Sequence, residues 1–144
     1  MLDPRLHGTW RTLKVFYGVI PIVAGLDKFT NLLTRWDQYL SPLALRVVPV
    51  SAPTFMHAVG IVEIVAGLIV LSRYTRVGAY IVSAWLVAIA LNLITSGRFL
   101  DVAVRDLGMA LGAFTLARLT EVRSEARAPV QARPPGLEPA RAGA

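Results

Sequence analysis

Lys28, Glu63, Arg105 and Asp106 carry full charges inside long hydrophobic stretches. On insertion scales each such charge opposes burial in a bilayer by at least about 2.5–3.5 kcal/mol unless it is partnered or hydrated. Acids and bases gathered in that setting can bind an anion, pass protons or hold the polar head of a quinone. Helical spacing does gather them. Gly60, Glu63 and Gly67 share one face of a helix, and Gly18, Gly25 and Lys28 share a face of another. Asp101, Arg105, Gly108 and Gly112 form a third stripe, with Asp101 preceding Arg105 in the favourable i,i+4 order for an ion pair. Asp106 points about a quarter-turn away from Arg105 at the helical period. Trp85, Ala88, Ile89 and Asn92 share a face in the remaining stretch.

Successive spans run in opposite directions, so a rise of about 1.5 Å per residue places Lys28, His57, Asn92, Asp101, Arg105 and Asp106 in one outer half, with Glu63 near the middle. One polar pocket opening outward is expected. Its acids, Asp27, Glu63, Asp101 and Asp106, outnumber Lys28 and Arg105 by two. A protonated carboxyl, a bound cation or a charged His57 would balance them. The same residues also have a purely structural reading. Buried ion pairs can hold helices in register, and Gly25, Gly60, Gly67, Gly108 and Gly112 can let backbones approach closely. His57 fits a hydrogen bond inside the protein better than a metal, because the chain has no cysteine and its other histidine, His7, lies on the opposite side. No metal, haem or thiolate site is expected. Trp85 reads as a packing or lipid-facing residue, with quinone stacking as the alternative.

The elements that must position these groups read as membrane helices. The chain has 144 residues, of which 55% are hydrophobic, and a mean hydropathy of +0.56, too apolar for an ordinary soluble domain. Four spans are expected, at about 13–33, 52–71, 77–95 and 99–119, in an all-α integral membrane four-helix bundle. Pro21 predicts a kink in the first. Residues 1–12 form an N-terminal segment, and 34–51 form an interfacial loop rich in Trp, Tyr and aliphatic residues, with a lid as its functional alternative. Residues 120–144, rich in Arg, Ala and Pro, read as a disordered tail. No convincing cleavage site precedes Asp27, so the first span is expected to stay.

Arg5, Arg11, Lys14, Arg73, Arg76, Arg118 and Arg123, with the tail arginines, fall on one side, against only Arg35, Arg46 and Arg98 on the other. Both termini are therefore expected in the cytoplasm and the chain in the inner membrane as a multi-pass protein. The net charge of +6 is explained by this topology, and nucleic-acid binding is not expected.

Gly25-Leu26-Asp27-Lys28-Phe29, the run Gly60-Ile61-Val62-Glu63-Ile64-Val65-Ala66-Gly67-Leu68 and Arg105-Asp106-Leu107 together resemble the DoxX-like family of small four-helix bacterial membrane proteins. The resemblance spans roughly residues 11 to 120 and implies that Lys28, Glu63, Arg105 and Asp106 form a shared polar core. Relatives include a subunit associated with thiosulfate:quinone oxidoreduction and members of membrane redox complexes handling oxidative stress. The resemblance thus implies an accessory subunit of a quinone-linked redox system rather than a stand-alone enzyme, with quinone as the cofactor class and a redox protein or a second copy as partner. A small-solute transporter component and a structural scaffold are the alternatives.

Overall fold

A computed structural model describes residues 4–126. Among them are five α-helices and one 3-10 turn, and no strand: α1 Pro4–Thr30, the turn Trp36–Tyr39, α2 Pro42–Val47, α3 Ala52–Leu71, α4 Thr75–Ser96 and α5 Leu100–Glu125. The long helices run alternately up and down. One end of the molecule, here the loop end, carries residues 31–51 and the α4–α5 connection; the other carries the start of α1, the α3–α4 turn and the end of α5.

Two helices, α3 and α4, are long and apolar enough to cross a membrane. Ser51 caps α3, its side chain accepting the Thr54 N–H, and Gly97, in the left-handed conformation, ends α4. α1 and α5 are longer, at 27 and 26 residues, but charges interrupt them.

Their ends correct the sequence expectations. α1 begins at Pro4, well before residue 13, and stops at Thr30, where Asn31 turns left-handed at φ 52°. α5 continues through Glu125, so residues 120–125 are helical rather than the start of a disordered tail. Apolar runs mark what lipid tolerates, whereas backbone hydrogen bonding continues through polar residues. Residues 127–144 of that tail and residues 1–3 lie outside the described residues. In the segment 34–51 Pro42 opens α2, because a proline in the first turn lacks only an N–H that would have no helical partner.

Small residues set the packing. α1 and α3 lie antiparallel with Gly25 against Gly60 and Gly18 against Gly67; a Cβ on Gly25 would stand 2.5 Å from the Gly60 carbonyl oxygen. Gly78 lets α4 start against the backbone of Val70. The Ser83 hydroxyl donates to the Ala110 carbonyl at 2.9 Å, tying α4 to α5. Tyr17, Ala66, Val70, Ala79, Val82, Ala113, Leu116 and Ala117 form the apolar core between the helices.

Candidate functional site

The close approach of α1 and α3 brings their charges together. Lys28 sits one turn after Gly25, its Cβ beside Gly60, and its side chain reaches Glu63, one turn further along α3. The ammonium donates to Glu63 Oε2 at 2.6 Å, with the residues 5% and 6% exposed. On α5, Asp106 is equally buried, and its Oδ1 accepts from Arg105 Nε at 3.3 Å and Nη2 at 3.2 Å. Asp106 interacts electrostatically with both Lys28 and Glu63. Two ion pairs thus converge from three helices.

They face a cavity of about 730 Å³. Its body is apolar, with Tyr17, Ile20, Pro21 and Ala24 of α1, Val59 and Ala66 of α3, Val82, Leu86 and Ile89 of α4, and Met109 of α5. Residues of the 34–51 segment, including Trp36, Tyr39 and Leu40, cover its loop end. Trp85 also lines it. The Trp85 indole N–H is buried without a completed hydrogen bond, and the carboxylate it senses is that of Glu63.

The sequence-derived residues divide accordingly. Lys28, Glu63, Asn92, Arg105 and Asp106 line this one cavity. Asn92 serves the loop, its amide donating to the Tyr39 carbonyl at 2.8 Å and its oxygen accepting the Ser41 N–H at 3.1 Å. His57 lies elsewhere. Its ring stacks on Phe29 with centroids 4.9 Å apart and lines a separate vestibule of about 410 Å³ with Asn31, Arg35 and Asp37. Asp101 is exposed in the first turn of α5 and lines neither. Among the described residues it forms no ion pair with Arg105, which turns to its neighbour Asp106 instead. Of the expected packing glycines, Gly25, Gly60, Gly67 and Gly112 lie against a neighbouring helix, Gly112 under the Tyr17 hydroxyl, while a Cβ on Gly108 would meet nothing within 4 Å.

Asp27 departs furthest from expectation. Its carboxylate points into the turn after α1, accepting from the Leu32 N–H at 2.9 Å, the Leu33 N–H at 3.1 Å, the Thr30 hydroxyl at 3.1 Å and the Trp36 indole at 2.7 Å. With Asp27 satisfied there and Asp101 outside, the expected excess of two negatives is corrected to a balance of two acids against two bases. Trp36 is the residue the sequence reading missed. Its ring lies over the Lys28 ammonium, 3.6 Å from the centroid, at the charge that lines both the cavity and the vestibule. The signal was an indole a short turn beyond an Asp-Lys pair that ends a helix.

Among the described residues no cluster of three or more His, Cys, Asp or Glu could hold a metal. In comparisons with known proteins, the model of the DoxX family matches residues 10–96. No curated protein and no solved structure matches the chain.

Proposed function

The chain belongs to the DoxX family, and from that membership we propose that it is an accessory membrane subunit of a redox system whose cavity holds the head of a membrane quinone. The family and the two apolar helices indicate a membrane protein. In the finer reading α1 and α5 also span the inner membrane, with both termini in the cytoplasm. Exposed aliphatic side chains on every long helix support it, among them Val19 and Val23 of α1, Ile61 and Val65 of α3, Leu91 of α4, and Val104 and Leu111 of α5.

One observation carries the ligand reading: donors and a balanced set of charges stand at the polar end of an otherwise aliphatic cavity. A net-charged site would select an ion. Two neutralised pairs favour a neutral carbonyl head, which can accept from Lys28 and from the Trp85 N–H while its ring and tail occupy the apolar volume. The test is titration of purified protein in lipid with a decyl-tailed benzoquinone, read by tryptophan fluorescence. Saturable quenching that weakens in Trp85→Phe and in Lys28→Ala supports the reading. Equal quenching in all folded variants, or none in the wild type, overturns it.

A transporter component is the second reading, favoured by one feature: Lys28 and Met56 line both the cavity and the vestibule, so the two volumes meet at one charge. Solute uptake by proteoliposomes that is lost in Lys28→Ala would establish it. A scaffold role is the outcome if neither binding nor uptake is seen and co-purification of a partner fails on Glu63→Gln.

A further inference from the structure

We infer that the cavity is loaded sideways from the lipid, through a crevice between α1 and α5, and that Arg105 stands at its mouth to receive the polar head of a quinone-class amphiphile. This rests on the preceding reading that the cavity binds such a molecule.

α1 and α5 are tied together toward the end where α1 begins. There the Trp10 indole donates to the Thr120 hydroxyl at 2.9 Å, Arg123 stacks over Trp10 at 3.9 Å, and the Tyr17 hydroxyl packs on Gly112. Beyond Tyr17 and Gly112, side chains of both helices line the cavity, Pro21, Ala24 and Lys28 from α1 and Val102, Asp106 and Met109 from α5. Ile20 of α1 and Arg105 of α5 both line it and yet remain exposed, Ile20 at 40% and the Arg105 side chain at 65%. Wall and surface at once, these two edge an opening on the α1–α5 side. Gly108, one turn further along α5, faces open space as well.

The loop end is more obstructed, although Leu33 there is also both wall and surface. Trp36 covers Lys28 and is itself held by Asp27, while Asn92 clamps the backbone at Tyr39 and Ser41. The vestibule at that end carries the polar side chains of Asn31, Arg35, Asp37 and His57, with Pro53 and Met56 completing its wall. It suits water, whereas the crevice, edged by Ile20, suits a molecule already dissolved in acyl chains.

Arg105 lies about 7–8 Å along α5 from Leu100 at the usual helical rise, so in the four-span reading it sits just inside the hydrocarbon. Asp106 engages Nε and Nη2 and offsets the charge. The Nη1 donors, which Asp106 does not use, can meet a carbonyl or hydroxyl oxygen arriving from the lipid.

The chain has no native cysteine, so a single introduced thiol can plug either opening after folding. Ile20→Cys and His57→Cys proteins in liposomes are each treated with N-phenylmaleimide, and the rate of decyl-benzoquinone quenching is followed by stopped flow. Blocking the Ile20 position is expected to slow association by about tenfold or more, within the range interface changes produce, while blocking position 57 leaves it unchanged. Arg105→Gln is expected to slow association in the same direction. Equal rates after both labels, or slowing only at position 57, overturn the lateral route and leave the binding reading intact. Absence of quenching in the unlabelled protein overturns the binding reading and the route with it.

Discussion

The Trp36 indole bridges two neighbouring charges of opposite sign, its ring face over the Lys28 ammonium at 3.6 Å and its N–H on the Asp27 carboxylate at 2.7 Å. A desolvated cation–π contact of this kind is worth about 2 kcal/mol. It gives the consecutive pair Asp27-Lys28 two separate duties: the acid organises the turn and the base enters the cavity.

Asp27→Ala should therefore release Trp36 without touching the ion pair. Several hydrogen bonds are lost at once, and each buried donor left unpaired costs about 1–3 kcal/mol. Iodide quenching of tryptophan fluorescence is expected to rise, and the same substitution in a Trp36→Phe background should produce no rise.

Breaking the buried pair from one side should cost more than removing it whole. Lys28→Ala or Glu63→Ala is expected to destabilise by about 3–5 kcal/mol, the usual penalty for an orphaned buried charge. A Lys28→Met, Glu63→Leu double variant should recover most of that loss in thermal unfolding monitored by circular dichroism in detergent.

Glycines in the two ion-pair regions should respond in opposite ways. A Cβ on Gly60 would stand 2.6 Å from the Gly25 carbonyl oxygen, where only backbone can give way. Gly60→Ala is expected to cost about 1–3 kcal/mol by overpacking. Gly108→Ala meets open space and should gain up to about 1 kcal/mol in helix propensity. Parallel unfolding curves of the two variants decide the point.

Asn92→Leu should loosen the segment 34–51 while sparing α4. The Tyr39 carbonyl and Ser41 N–H lose their partner. Faster hydrogen exchange confined to residues 36–44 is the expected result, read by mass spectrometry.

How much of this was legible depended on whether a property is local. The bounds of α3 coincide with residues 52–71 because Ser51, Pro53 and the apolar run all mark the same start. The meeting of Gly25 with Gly60 and of Lys28 with Glu63 was foreshadowed by matching glycine-to-charge spacings in two segments. Asp27 was not separable from Lys28, since neighbours on a helix differ by only about 100° and the amides that claim the carboxylate belong to a turn with no periodicity. Asp101 and Arg105 had the right spacing for an ion pair, but spacing shows what can be reached and not which acid is chosen. His57 failed for a related reason: depth along a helix says nothing about which side of Trp36 a ring will occupy.

Only Gly97, Arg98 and Phe99 separate α4 from α5, and two of them, Gly97 at φ 66° and Phe99 at φ 57°, reverse the chain through left-handed backbone. So short a connection has a consequence for biogenesis. On the four-span reading the charge-bearing α5 never has to partition alone, because it leaves the translocon as the second arm of a hairpin whose first arm, α4, is apolar enough to carry it.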